Sequence, residues 1–405
     1  MSDKPFNRWL IVLGAILVQF GLGILYSWGI ISPNLVATYS ANVKWAFAVA
    51  LAAFAAGMIP AGKLQDKFGP RIMSIIGGAI LGTSYLLCAL ATSEGYIIFM
   101  YGVVGGLGIG FAYVCPIACA VKWFPDKKGL ITGLAVAGFG AGSFIFNFIM
   151  EAILPDIDTV FIVCGIILYA LVIGGGAILR NPPAGYKPEG WNPPQPVTGA
   201  AVKKADWAPQ EMIKTPQFWL WWLSYMMSAM IGLLIIGSFK IYIKTGSLLS
   251  LLPAEVAAIG SIAALFNAAG RIGWGKIGDK MGRFKALLVM NIIQAVVIFT
   301  IAPIKDNYPM AIIWVGLIYF CFGGNLAIYP AITADSFGTK NYGINYGIMF
   351  SAYGVAGIMQ AVFTILIFAS FSNWLPLFIV CGIMALAAGA IIILVKPPVG
   401  KTPAA

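Results

Sequence analysis

GKLQDKFGPR, residues 62–71, returns as GKIGDKMGRF at residues 275–284. In both copies a Gly-Lys pair leads to an Asp-Lys pair, and a glycine follows two residues later. Each copy is a short charged turn between two long apolar runs. The first follows the second apolar run of the chain and the second follows the eighth. The two copies therefore hold equivalent places in two sets of six, and internal duplication of six spans is a transporter architecture.

The apolar runs carry the rest of the fold. The chain has 405 residues, is 60% hydrophobic and 10% charged, and has no histidine. A soluble chain of this length carries far more charge. The hydrophobic residues fall in blocks of about 20, the length of helix that crosses a bilayer. Twelve spans are expected, near 9–31, 45–64, 71–92, 96–121, 129–154, 159–179, 217–243, 253–277, 284–304, 308–334, 342–369 and 374–395. The expected fold is an all-α membrane protein, with an N-terminal bundle over 1–179, a cytoplasmic linker over 180–216 and a C-terminal bundle over 217–405. The linker begins with RNPPAGYKPEGWNPPQP, whose prolines oppose helix. Asp206 is a candidate cap for a short surface helix, and TPQFW at 215–219 places Thr215 as cap and Pro216 as first residue of span seven.

Charge gives the expected orientation. The net charge of +11 would suit nucleic acid or anionic lipid, but its placement points to topology instead. Of the 25 Lys and Arg, only Arg271 falls inside a span, and Lys44, Lys240, Lys244 and Lys305 fall on one side; all others fall on the opposite side. Positive residues face the cytoplasm, so both termini are expected there, in a cell (inner or plasma) membrane. The first run is too long for a signal-peptide core and no cleavage pattern follows it. Neither a myristoylation nor a prenylation pattern is visible. The six cysteines lie in apolar runs and read as small fillers, with no metal site and no cofactor expected.

The repeated loop resembles the signature of the major facilitator superfamily. YSWG at 26–29, KWFPDKKGLITG at 122–133, TPQFW at 215–219 and the region of Arg271 resemble the oxalate/formate antiporter subfamily, which is akin to the monocarboxylate transporters. The resemblance implies two pseudo-symmetric six-helix halves and alternating access. It also implies gating roles for Asp66, near the N-terminus of span eleven, and Asp279, near that of span five. A carboxylate at a helix N-terminus is worth about 0.3–1 kcal/mol when exposed. The plainer reading of these aspartates is a solvated charged turn.

Arg271 is the residue that demands an explanation. A guanidinium at the centre of a span costs at least about 2.5–3.5 kcal/mol on insertion scales. A structural ion pair would offset this, and its candidate partners are Asp279, Asp335 and Glu151. An anionic substrate would offset it too, since arginine presents a planar fork that fits a carboxylate. Asn267 lies one turn before Arg271 on the same face. The position that Asn267 resembles holds an aspartate, thought to carry the proton, in animal monocarboxylate transporters; asparagine cannot ionise. The resemblance adds Tyr113, Tyr26 and Phe322 as walls of the cavity, each of which also reads as plain helix packing.

The departure from the oxalate carriers lies in span eleven. They have a lysine where this chain has Tyr353, eight residues after Asn345. One fixed cation then remains at depth. A dianion would leave one charge unpaired, at several kcal/mol, whereas a monoanion is matched. The expected substrate is a small monocarboxylate, such as lactate, pyruvate, formate or acetate, with a lean towards lactate. Proton symport is the expected coupling, with Glu151 as candidate proton carrier. Anion exchange of the oxalate/formate type, uniport, or a major facilitator carrier of another substrate class are the alternatives. A monomer is expected, with the lipid bilayer as its surroundings and no nucleic-acid partner.

Other features carry less. GVVGGLGIGFAY at 102–113 mimics a dinucleotide loop, but no strand precedes it. GLAVAGFGAGSF at 133–144 reads as packing glycines and lacks the proline of the drug/proton antiporter motif, which opposes drug efflux. No nucleophile sits beside a base, so an enzyme is not expected.

Overall fold

A computed structural model describes residues 7–183, 185–188, 206–245, 253–300, 307–338, 340–371, 374–396 and 398. These form helices and short connections, with no strand among them. The long helices in chain order are α1 (Trp9–Thr38), α2 (Ala41–Phe68), α3 (Pro70–Cys88), α4 (Glu94–Trp123), α5 (Lys128–Ile153) and α6 (Ile157–Ile178). They continue with α7 (Pro216–Thr245), α8 (Pro253–Met281), α9 (Arg283–Thr300), α10 (Tyr308–Phe337), α11 (Tyr342–Phe371) and α12 (Leu375–Leu394). Eleven are long and apolar enough to cross a membrane. The exception is α8, which carries Arg271 and the charged end Lys276, Asp279 and Lys280. It packs along α5, α9 and α10 like the rest, so its 29 residues complete a twelve-helix fold.

Most expected boundaries agree to within a few residues. In α1 the difference is larger. Ser32-Pro33-Asn34 looks like a stop, yet the helix runs through Pro33 to Thr38. Buried neighbours and local 3₁₀ adjustment absorb such a proline in membrane helices, and α1 contains a 3₁₀ segment at Gly23–Ser27. Most of the proline-rich linker, with Lys4, Lys203, Lys204, Lys305 and Lys401, lies outside the described residues, as do the side chains of Lys240 and Lys244.

Caps explain several starts. Asp156 accepts from the Thr159 N–H and hydroxyl at the head of α6, which holds its carboxyl below the usual range. Thr215 accepts from the Phe218 N–H, with Pro216 leading α7, as the sequence indicates. Asp206 is different. The one-turn helix Pro209–Met212 is headed by Ala208, whose N–H donates to Glu211. Asp206 instead accepts from the Lys340 N–H at 3.1 Å. The Trp207 carbonyl accepts from the Asn341 and Asn345 amides, so the end of the linker is tied to the start of α11.

The repeated motif has the same geometry in both places. Gly69 joins α2 to α3 at φ +86°, and Gly282 joins α8 to α9 at φ +91°. Other residues rarely adopt this backbone, so each motif reverses the chain where only glycine fits without strain. The first glycine of each motif has a different task. A Cβ on Gly62 would overlap the backbone of Gly343 in the first turn of α11. A Cβ on Gly275 would press the carbonyl of Gly129 in the first turn of α5. At this motif end of the molecule, α2 meets α11 and α8 meets α5 backbone to backbone. The pairs stay close further along, through Gly347 against Met58 and Gly140 against Ala268. Close approach through glycine maximises van der Waals contact where lipid supplies no hydrophobic drive between helices.

Packing of this kind leaves no room for an added methyl. A Cβ on Gly270 would overlap the Phe320 carbonyl, whereas one on Gly174 would meet nothing. Gly270→Ala is expected to cost about 1–3 kcal/mol through overpacking and to lower the melting temperature in detergent. Gly174→Ala is expected to leave it unchanged, and thermal unfolding of the two variants side by side checks the contrast.

Candidate functional site

Arg271 is fully buried, and it is the one charged residue among the buried described residues. Its Nε donates to Asn267 Oδ1 at 2.9 Å, and its Nη1 donates to the Val136 carbonyl at 2.7 Å. The Phe139 ring lies under it, with Cζ 5.1 Å from the ring centroid. Nη2 has no hydrogen-bond partner. Among the described residues no carboxylate pairs with it. Dipoles and a π face therefore hold the guanidinium in place of a counter-charge, and one edge of its fork remains unused.

The packing that delivers these groups follows from small residues. Gly133 and Gly140 of α5 let α8 come close, which brings the Val136 carbonyl within reach of Arg271. Across α8, a Cβ on Gly323 would overlap the Asn267 carbonyl, so α10 is equally near. The Asn267 amide donates weakly to the Tyr319 carbonyl at 3.4 Å, which fixes Oδ1 towards the arginine. On the other side, Gly23 of α1 abuts the Phe139 carbonyl, and Gly142 of α5 abuts that of Phe20. This interlock falls at the 3₁₀ segment of α1 and sets Tyr26 beside Phe139, with ring centroids 4.8 Å apart.

The six residues indicated as substrate neighbours, Arg271, Asn267, Tyr113, Tyr26, Phe322 and Tyr353, come together in one cluster. The hydroxyls of Tyr26 and Tyr113 lie close enough to Arg271 to interact with its charge. Tyr26 and Tyr353 share a hydrogen bond of 2.6 Å between their hydroxyls, which links α1 to α11. The Phe322 ring lies 5.9 Å from Tyr26 and 6.2 Å from Tyr353. Three further rings complete the enclosure. Phe139 lies 5.8 Å from Tyr113, Phe54 lies 5.0 Å from Tyr113, and Phe350 lies 4.6 Å from Tyr353. The sequence reading missed all three. Phe139 sits inside the glycine-rich stretch of α5, flanked by Gly138 and Gly140, where an aromatic between glycines marks a ring that neighbouring backbones can approach.

The acids go elsewhere. Arg283 binds two of the three candidate partners of Arg271, Asp335 at 2.6 Å and Asp279 at 3.1 Å. The Asp279 carboxylate also lies against Gly129, in the first turn of α5, where the helix dipole favours an anion. Asp66 sits one turn beyond Gly62, 3.7 Å from Lys122 Nζ, and accepts from the Gln65 amide. Glu151 is exposed near the end of α5, about 22 Å of helix beyond Val136 at 1.5 Å per residue, so the structure does not bring it to the cluster. A small cavity of about 20 Å³ lies on the other side of Tyr26, towards the end opposite the motifs.

Comparison with known proteins follows the same lines. The model of the Major Facilitator Superfamily matches residues 8–361 and again 247–405. The oxalate:formate antiporter of Oxalobacter formigenes is 31% identical, over 98% of this chain and 93% of its own length. Apicoplast pyruvate carrier 1 of Toxoplasma gondii is 26% identical, over 82% of this chain and 71% of its own. Monocarboxylate transporter 13 of Bos taurus is 24% identical, over 95% and 88%.

The Asn267–Arg271 contact is open to a double-mutant cycle. Asn267→Leu strands Nε of a buried guanidinium, whereas Arg271→Met with Asn267→Leu removes the demand. The paired change is expected to cost less than the sum of the single changes, with a coupling of about 0.5–3 kcal/mol. Unfolding midpoints of the four proteins in detergent measure it.

Proposed function

The chain belongs to the Major Facilitator Superfamily, within the oxalate/formate group akin to the monocarboxylate transporters, and from that premise we propose that it carries small lactate- or pyruvate-like monocarboxylates by alternating access. Membership makes it a multi-pass membrane transporter. The substrate proposal is carried by one observation: a fully buried guanidinium with no carboxylate partner among the described residues and one unpaired nitrogen, in an aromatic enclosure. The carboxylate of the substrate docks on Nη2 and draws hydrogen bonds from the hydroxyls of Tyr26 and Tyr113. Phe322, Phe139 and Phe350 exclude water, which strengthens the charge pairing. Tyr353 stands where the oxalate carriers resembled in sequence have lysine, so the enclosure matches one negative charge rather than two.

Transport then follows from the two bundles, 1–179 and 217–405, rocking about this site, with the chain as a monomer in a cell membrane and both termini cytoplasmic. The contacts of α2 with α11 and of α5 with α8 seal the motif end, with Asp66 and Asp279 as gate carboxylates. Binding of the anion neutralises Arg271 and lets the bundles exchange ends without dragging a bare charge across the core. Proton symport supplies the driving gradient, and the exposed Glu151 is its candidate acid at the opposite end. Exchange of one anion for another is the second reading. It is favoured by the absence of any described carboxylate beside Arg271, and the relative in Oxalobacter is named as an antiporter.

In proteoliposomes, Arg271→Ala is expected to abolish uptake of labelled lactate while the protein still folds. Uptake at the parent rate in that variant overturns the site. Tyr353→Lys is expected to raise competition by oxalate at least about tenfold, one charge pairing of roughly 1.4 kcal/mol or more. An imposed pH gradient separates the couplings: symport responds to it in empty vesicles, whereas exchange needs anion preloaded inside.

A further inference from the structure

We propose that the cavity beside Tyr26 is a second subsite, which takes the hydroxyl of a short-chain hydroxy monocarboxylate whose carboxylate rests on Arg271. It builds on the carboxylate reading of Arg271 and adds the group that recognises the rest of the molecule. The cavity is lined by Tyr26, Ser143, Asn147, Ile236, Ala264 and Tyr319, among others, and its volume of about 20 Å³ holds a group the size of one water.

Asn147 is the residue without an explanation in packing. It is 6% exposed, and its Oδ1 has no hydrogen-bond partner. A buried acceptor left unpaired is destabilising, so a donor is wanted in the cavity. The Ser143 hydroxyl donates its proton to the Gly140 carbonyl at 2.8 Å, so what it presents to the cavity is acceptor too. A hydroxyl can donate to these acceptors, which neither an oxo group nor a methyl can do.

The placement fits a molecule that reaches both groups. Gly140 abuts Asn267, and Asn147 lies two turns further along α5, about 10 Å at 1.5 Å per residue. The contacts of Gly129 with Gly275 and of Gly140 with Ala268 show that α5 and α8 run antiparallel. Side chains slope towards the start of their own helix, so those of Arg271 and Asn147 lean towards each other. On the proposal, an acid of three or four carbons spans them, hydrogen-bonded at both ends. Tyr26 is a wall of the cavity, and its hydroxyl, now on Tyr353, lies close enough to Arg271 to interact with its charge.

The test is competition for uptake of labelled lactate by the reconstituted full chain, using matched pairs: lactate with propionate, and 3-hydroxybutyrate with butyrate. In at least one pair the hydroxy acid is expected to compete at least fivefold better than its parent. Asn147→Leu is expected to bring the two within twofold while leaving the parent acid's own competition unchanged. Parent acids that match their hydroxy partners in the unmodified protein, or a preference that survives Asn147→Leu, overturn the subsite and leave the Arg271 proposal standing. Should the variant not fold, the matched pairs in the unmodified protein decide, because a hydroxy acid that competes no better than its parent in either pair contradicts a cavity that takes a hydroxyl. Absence of uptake for every acid in the unmodified protein removes both proposals.

Discussion

A positive charge that cannot be neutralised lies buried in this molecule, and among the described residues no carboxylate meets it. Lysine or histidine could lose a proton in such a place; arginine does not. The protein contains the charge with a backbone carbonyl from α5, an amide from its own helix and the face of Phe139. Each is a partial charge, and together they hold the group without cancelling it. The glycines of α5 and α10 follow from this constraint, because only bare backbone brings the Val136 carbonyl and α10 close enough to a helix that bears an arginine. The same glycines give α8 the contact it needs as the least apolar of the twelve helices.

Charge elsewhere is spent at the motif end. Arg283 gathers Asp279 and Asp335, Arg8 pairs with Asp126, and Lys122 lies near Asp66. Asp66, Asp126, Asp279 and Asp335 near that surface each have a basic partner, while Arg271 has no carboxylate partner among the described residues. The partition separates two electrostatic jobs. Pairs at the end can break and reform in water at small net cost, which suits a seal. A lone charge in a dry enclosure acts strongly on whatever enters, which suits recognition. The two loop motifs extend this economy. Each uses one glycine to turn the chain, one to let two helices touch, and an aspartate placed one turn beyond that contact.

On the proposed reading, the aromatic enclosure adds selectivity by what it withholds. Tyr353 places a hydroxyl, already bonded to Tyr26, where a second cation would enlarge the demand for negative charge. That bond also ties α1 to α11, which belong to different sets of six. A ligand that recruits the Tyr26 hydroxyl competes with a contact between the two sets, so occupancy of the site and the hold between them are connected through one residue.

Much of the architecture was legible in the sequence because the bilayer imposes it. Its thickness sets the length of an apolar run, lysine and arginine mark the ends, and a turn at positive φ calls for Gly69 or Gly282. Thr215 with Pro216 announces the start of α7 for an equally local reason. Arg271 stood out because a guanidinium within an apolar run has no ordinary explanation. What surrounds it could not be read in the same way. In a membrane helix the lipid face and the core face are both apolar, so periodicity does not say which phenylalanine looks inward. Phe139 and Phe54 therefore carried no signal of their own, Asp206 resembled a cap, and Pro33 resembled an end. The sequence by itself determined that the chain spans a membrane, twice over in six helices, with one cation inside. Only the tertiary structure decided that this cation faces Val136, Phe139 and two tyrosines rather than Asp279 or Asp335. Those partners come from helices distant in the chain, and their approach depends on the fit of whole surfaces, which no local pattern records.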